Sequence, residues 1–173
     1  MTNKLLFCVI VTMFTKDVNV NYIYRQENET EIYYSRKLTW NDFVTVNVKS
    51  KVASSTASAV MLVTSSVGNE IKSAEISCRF YKKESWVDIT QKNDYILNHE
   101  QRHFDITYIY SKKIMEALKG ITDKQKMYEI YKSFTNELNN FHDQYDTETN
   151  HSRFIDKQKE WDNKIDLLLI KNK

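Results

Sequence analysis

The chain has 173 residues, enough for one well-cored domain. Its formal net charge is only +2, and acidic and basic residues alternate along the chain, so charge gives no reason to expect a nucleic-acid partner. It contains no proline and two glycines, which argues against a flexible linker between domains.

The first twenty residues differ in character from the rest. Lys4 precedes an apolar run at residues 5–14, which is too short to span a bilayer because a spanning helix needs about 20 apolar residues. A short apolar run behind a positive charge is typical of a secretory signal peptide. We therefore expect residues 1–20 to be a signal peptide and residues 21–173 to be a single exported domain, periplasmic or extracellular, without a membrane span; a buried N-terminal strand is the alternative.

The segment from residue 21 to 90 has a β pattern. Gly68 and Asn69 tolerate positive φ and lie between two long alternating segments, which predicts a hairpin. In the second of these segments, alternation places Cys78 on the apolar face, so we expect it in the core. The pattern predicts an antiparallel sheet of four to five strands, at residues 22–24, 32–34, 44–48, 57–66 and 71–81.

After Trp86 the apolar residues follow a helical period. Asn93 or Asp94 can cap a helix that runs to about Lys119 and ends at Gly120, where glycine favours the left-handed conformation. The apolar face of this helix is interrupted by His99 and His103 alone, and buried imidazoles need polar partners.

These two histidines belong to an H-E-x-x-H motif, His99-Glu100-Gln101-Arg102-His103. Residues four apart lie on the same face of a helix, so His99 and His103 can bind one Zn²⁺. Glu100 lies close enough to take a proton from a water on the metal without being a ligand. This is the arrangement of zinc peptidases.

A second helix is predicted to begin with a capping box at residues 122–125. The tight turn near Gly120 makes the two helices antiparallel neighbours. At about 1.5 Å per residue, residues 141–151 then return beside the zinc motif. The apolar residues of this helix form one inward stripe: Met127, Ile130, Phe134, Leu138, Phe141 and Tyr145.

The returning segment offers candidates for a third metal ligand: His142, Asp143, Asp146, Glu148 and His151. We predict His151, because it lies in the turn before the next helix, where the backbone can aim it, and nitrogen suits Zn²⁺. His142 and Asp143 are in the helix body, where a surface position is commoner. Asp146 and Glu148 remain open as carboxylate ligands, and Asp146 is also suited to orienting an imidazole. Tyr145 either stabilises an oxyanion or only completes the apolar stripe.

A last helix is predicted at about residues 152–170. Its buried face carries Phe154, Trp161, Ile165 and Leu168, and Gln158 lies on the same stripe as if it had a polar partner inside. Asp105, on the first helix, projects away from the histidine face, so we expect it to be structural and to bond a backbone group or the loop at residues 36–40.

Together these segments resemble the bacterial DUF922 family of exported proteins, expected zinc-dependent proteases related to the zincins. The resemblance covers roughly residues 22–166 and is most specific at His99–Asp105 (H-E-Q-x-H-F-D). It implies a zincin-like domain with Zn²⁺ on His99 and His103, and Glu100 as the catalytic acid/base. The family pattern has glycine where this chain has Ser152. The other matching positions are 36–43, 80–87, 145–151, Gln158 and Trp161.

The sequence thus predicts an α+β fold, in which an N-terminal antiparallel sheet packs on a helical hairpin that carries the motif, followed by a C-terminal helix. The predicted function is hydrolysis of a peptide or protein substrate, with Zn²⁺ on His99, His103 and His151 and with Glu100 and Tyr145 as catalytic residues. The alternative is a non-catalytic envelope binding or assembly protein, for which a zinc site closed by four protein ligands would be evidence. We expect His151→Ala to weaken zinc binding far more than a change at His142.

Overall fold

A computed structural model describes residues 18–48 and 50–172. The fold is α+β, with two mixed sheets and three helices in this part of the chain. The predicted signal peptide lies outside the described residues except for residues 18–20. Val18 is buried, and Asn19 and Val20 pair with the first sheet, so the folded domain begins before residue 21.

The first sheet is organised around one long strand. In chain order the strands of the described residues are β1 (Asn19–Tyr22), β2 (Glu31–Tyr33), β3 (Val44–Val46), β4 (Ser54–Ser55), β5 (Ser58–Val67), β6 (Glu70–Tyr81) and β7 (Trp86–Asp88). Strand β6 pairs with β5 through the predicted hairpin, where Gly68 has a φ of +59°. Its other edge pairs with β1 and β2. Cys78 lies in the core with no exposed surface, as predicted.

The prediction of a purely antiparallel sheet was wrong. Strand β1 runs parallel to β6, and in the second sheet β7 lies between β3, which is parallel to it, and β4, which is antiparallel. Alternation of apolar residues reveals which face of a strand is buried, but it carries no information about the direction of the neighbouring strand. In the second sheet β4 is an edge strand.

The first two helices have the predicted arrangement. Helix α1 (Asp94–Leu118) begins where the Asn93 side chain accepts a hydrogen bond from Ile96 N, and Gly120 follows its end with a φ of +72°. Helix α2 (Lys124–Thr149) is capped by the Asp123 side chain. The predicted capping box at residues 122–125 began one residue earlier, at Thr122. None of the helices within the described residues is long and apolar enough to cross a membrane.

The third helix, α3 (Ile155–Lys171), begins three residues later than predicted. Phe154 therefore lies at its N-terminal cap and is 54% exposed, which corrects the prediction that it is buried. Trp161, Ile165 and Gln158 are buried as predicted.

Two clusters of buried side chains hold these elements together. The larger one lies between the first sheet and the three helices and includes Ile76 of β6, Ile114 of α1, Tyr145 of α2 and Ile165 of α3. The smaller cluster joins both sheets to α1 through Phe104, the residue next to His103. Burial of each such side chain stabilises the fold by about 1.5–3 kcal/mol. The core therefore fixes the position of the helical turn of α1 that carries H-E-x-x-H.

The turn between α2 and α3 has an unusual backbone. Asn150, His151 and Ser152 have φ of 48°, 51° and 68°, all in the left-handed region. For a residue with a Cβ this conformation costs about 1–2 kcal/mol, although asparagine adopts it more readily than most residues. The turn is tied to α1, because the Tyr95 hydroxyl donates a hydrogen bond to the backbone oxygen of Ser152 (2.5 Å). Ser152 occupies the position where the family resemblance has glycine, the residue that adopts this conformation without cost.

We therefore predict that Ser152→Gly stabilises the protein. The substitution removes the Cβ at a positive φ and keeps the backbone oxygen that Tyr95 binds, so unfolding should require about 1 kcal/mol more. For a chain of this size the midpoint of thermal unfolding should rise by about 2–4 °C. Ser152→Ala is the control, because alanine retains the Cβ and should give no such rise. A midpoint for Ser152→Gly at or below that of Ser152→Ala would contradict the interpretation.

Candidate metal site

The antiparallel packing of α1 and α2 brings two imidazoles and one carboxylate to a common point. His99 and His103 are 3% and 9% exposed, one above the other on α1. Asp146 lies opposite them on α2, and its Oδ1 is 3.1 Å from Nε2 of His99 and 3.0 Å from Nε2 of His103. One ligand atom from each of the three residues lies within 4.8 Å of the others. The predicted return of residues 141–151 to the motif is confirmed.

These three atoms fit the requirements of Zn²⁺. Imidazole nitrogen and carboxylate oxygen are both ordinary zinc ligands, at about 2.0–2.2 Å from the ion, and a tetrahedral site then separates neighbouring ligand atoms by about 3.3–3.6 Å. The two N–O separations of 3.1 and 3.0 Å are already close to this value. An outward movement of a few tenths of an ångström would bring both separations to the value of a zinc site.

Charge at the cluster is balanced internally. Burial works against ionisation of Asp146, but hydrogen bonds from His103 and His99 outweigh it and hold the pKa of this carboxyl well below its usual range. Burial also disfavours protonation of His99, yet Asp146 and Glu100 raise the pKa of its imidazole. A divalent cation can take the place of the protons that lie between these groups.

The second nitrogen of His99 is held by α3. Nδ1 of His99 donates to Oε1 of Gln158 (2.9 Å), which directs Nε2 toward Asp146. Nε2 of Gln158 donates in turn to the Tyr145 hydroxyl (2.6 Å) and to Oδ1 of Asp162 (2.9 Å). The polar partner expected for Gln158 is therefore His99. Such contacts fix the tautomer and orientation of a metal-binding imidazole.

The second nitrogen of His103 is held by another histidine. Nδ1 of His103 lies 2.9 Å from Nδ1 of His142, and Nε2 of His142 lies 3.3 Å from Oγ1 of Thr107. Burial and the neighbouring His103 lower the pKa of His142 to about 3, so this ring is neutral and can accept a hydrogen bond from His103. His142 was expected at the surface of the helix body; instead it is partly buried against α1.

Glu100 is held from the sheet side. Its side chain is 3% exposed, and the Ser54 hydroxyl donates to Oε1 at 2.6 Å. Its other oxygen, Oε2, is buried and has no hydrogen-bond partner within the described residues. A buried carboxylate oxygen without a partner is costly and uncommon, and such groups recur where a side chain has a catalytic role.

The remaining ligand candidates lie further from the cluster. His151 has a side chain that is 47% exposed, and its Nδ1 is 3.6 Å from Oδ2 of Asp146, whereas the two imidazoles bind Oδ1. Glu148 accepts a hydrogen bond from Trp161 on α3 (2.8 Å), and Asp143 is exposed. The structure therefore brings Asp146, and not His151, into contact with both imidazoles.

A cleft of about 350 Å³ opens over the cluster, between the segment at residues 52–58 and the helices. Glu100, Asp146 and His151 are among the residues that line it. Tyr145 is not: its ring is fully buried and stacks on that of His99, with 4.6 Å between the ring centres. Because its hydroxyl meets Gln158 and the backbone of His99, the oxyanion role predicted for Tyr145 does not fit this position.

Asp105 has the structural role expected for it. It accepts hydrogen bonds from Tyr34 and Gln101, at 2.7 Å each, and from Arg102 at 3.0 Å. Gln101 links it to the loop at residues 36–40 by accepting a hydrogen bond from Leu38 N. The side of α1 away from the cluster is thereby anchored to the first sheet.

Comparison of the chain with protein-family models, with curated proteins and with solved structures found no match.

The geometry predicts that Asp146 matters more for metal binding than His151. Asp146→Ala removes the one oxygen shared by both imidazoles and should weaken zinc binding by more than about 100-fold, whereas His151→Ala should weaken it by less than about tenfold. Competition with a chromophoric chelator measures both affinities. Asp143→Ala, an exposed aspartate one turn earlier on α2, is the matched control and should match the wild type. The reverse order of effects would make His151 the third ligand.

A separate prediction concerns the orientation of His103. His142→Ala removes the acceptor for Nδ1–H of His103, so zinc binding should weaken by about 10–100-fold, as is typical when such a partner is lost. His142→Gln offers a side-chain oxygen at a similar distance and should recover part of this loss. If both variants bind zinc like the wild type, His142 has no part in orienting the ligand.

Proposed function

We propose that this protein is an exported zinc-dependent peptidase in which His99, His103 and Asp146 hold the metal and Glu100 is the general acid/base. The observation that carries the proposal is the convergence of the two imidazoles and one carboxylate oxygen beside Glu100, whose Oε2 has no hydrogen-bond partner within the described residues, with all four side chains lining one cleft. Each of these features has another explanation by itself, but a zinc peptidase requires all of them together.

The chemistry divides between the metal and the protein. Zinc, when bound, supplies a Lewis acid that polarises a peptide carbonyl and lowers the pKa of a water. Glu100 takes the proton of the attacking water and passes it to the leaving amine. Gln158 and His142 hold the two imidazoles in place. Glu100 is buried, so few water molecules can hydrate its carboxylate.

The proposal extends to fold relationship and location. The H-E-x-x-H motif lies on α1, and the edge strand β4 of the second sheet borders the cleft. This arrangement is in keeping with a zincin-like domain and with the resemblance to the DUF922 family. The N-terminal run of apolar residues behind Lys4 supports export to the periplasm or the medium. In this proposal the cleft of about 350 Å³ would receive a segment of a peptide or protein substrate.

One observation favours a different function. Nδ1 of His151 lies 3.6 Å from Oδ2 of Asp146 at the mouth of the cleft, and a modest movement of this side chain would bring a fourth protein ligand to the metal. Zinc with four protein ligands is structural, since no position remains for water. The protein would then be an envelope binding or assembly protein. X-ray absorption of the zinc-loaded protein distinguishes the two cases by the number of histidine ligands.

Substitution of the acid/base tests the peptidase directly. Glu100→Gln keeps the shape of the side chain but cannot accept a proton, so zinc content should stay at one equivalent while peptide cleavage falls by at least about 100-fold. The assay is mass spectrometry on a peptide mixture that samples all residue types on both sides of the bond. Glu116→Gln, the same change at an exposed site of α1, is the control and should cleave like the wild type. Cleavage by Glu100→Gln at the wild-type rate would remove Glu100 from the mechanism, and a zinc-loaded wild type that cleaves nothing would favour the binding protein.

A further inference from the structure

Three hydroxyl side chains join the cleft wall to α1. Ser54, Thr56 and Ser58 lie at alternate positions, so in an extended chain they point to the same side. The Ser54 hydroxyl donates to Oε1 of Glu100 (2.6 Å), and that of Thr56 donates to the backbone oxygen of Glu100 (3.2 Å). Oγ of Ser58 is 2.7 Å from Oγ1 of Thr107, the residue that also meets His142. We call Ser54, Thr56 and Ser58 the hydroxyl ladder.

Ser54 differs from the other two members because it binds a side chain of the proposed catalytic machinery. Both partners are buried, Ser54 at 8% and Glu100 at 3% exposure, so water competes little for this hydrogen bond. A hydrogen bond from a hydroxyl to a carboxylate is stronger than one between two neutral groups. It occupies one carboxylate oxygen and leaves the other, Oε2, without a partner in the described part of the chain.

We propose that Ser54 is a positioning residue for Glu100: its hydroxyl binds Oε1 and thereby fixes the orientation of the whole carboxylate beside the cleft. This inference rests on the proposed function. A glutamate side chain has three rotatable bonds, and its carboxylate must be held within about half an ångström of the productive position for efficient proton transfer. The edge strand β4 supplies that restraint from outside the helix.

The neighbouring residue offers a matched control. Ser55 is on the same short strand and also borders the cleft, but it is exposed and makes no side-chain hydrogen bond within the described residues. Ser54→Ala and Ser55→Ala therefore remove the same atom from adjacent positions, and only the first removes a contact with Glu100.

The test measures binding of acetohydroxamate to the cobalt-substituted protein, followed by the visible spectrum of the metal. This small chelator gives the proton of its O–H group to a nearby base when it binds, so its affinity depends on the placement of the Glu100 carboxylate as well as on the metal. Ser54→Ala should weaken acetohydroxamate binding about tenfold and leave cobalt affinity within about twofold of the wild type. Ser54→Thr, which keeps a hydroxyl, and Ser55→Ala should both stay within about twofold for the two affinities.

A double substitution shows whether Ser54 acts through Glu100. In a Glu100→Gln background, Ser54→Ala should cause no further loss of acetohydroxamate affinity, because the group that Ser54 positions is already disabled. An equal loss in both backgrounds, or wild-type affinity in Ser54→Ala, overturns the role of Ser54 while the metal site stands. A wild-type protein that takes up no cobalt or zinc overturns the proposed function itself, and the role of Ser54 with it.

Discussion

One carboxylate oxygen, Oδ1 of Asp146, is shared by two imidazoles that otherwise occupy core positions, and this contact constrains how α1 and α2 can pack. Two buried polar rings without partners would cost several kcal/mol. Rotation of α2 by a single residue would swing Asp146 by about 100° and leave Nε2 of both rings without this partner. The short connection between α1 and α2, residues 119–123, limits such rotation, so the packing of these helices also brings His99, His103 and Asp146 together.

Each side chain of the site is held from a different direction. Gln158 of α3 binds the back of His99, His142 of α2 binds the back of His103, and Ser54 of β4 binds Glu100. These groups come from positions spread over more than a hundred residues, so no part of the unfolded chain can reproduce the site. Binding of a metal to the folded state alone adds directly to the free energy of unfolding.

The sequence reveals those parts of this arrangement that local rules determine. Helix caps and the i, i+4 spacing of the two histidines depend only on neighbouring residues, so they can be recognised in the sequence. Counting residues along two antiparallel helices correctly places residues 141–151 beside the motif. The choice among the ligand candidates is not local, because it depends on the rotation of α2 about its axis and on the turn that carries His151. That turn has positive φ at three consecutive residues without a glycine, so its conformation could not be predicted from the glycine pattern of the sequence. Ser54 lies in a run of serines and threonines without apolar alternation, and only the fold reveals its contact with Glu100.

The partners behind the two imidazoles have a consequence for the electronic character of the site. In many zinc proteins such a partner is a carboxylate, which pushes electron density through the ring and makes the ligand more basic. Here Gln158 is a neutral amide and His142 is a neutral imidazole. If the three proposed ligands hold a divalent ion, Asp146 is the one anionic group among them and would offset half of the charge of the ion. The remaining positive charge of the ion would lie at the cleft, where it would increase the acidity of an oxygen group bound there.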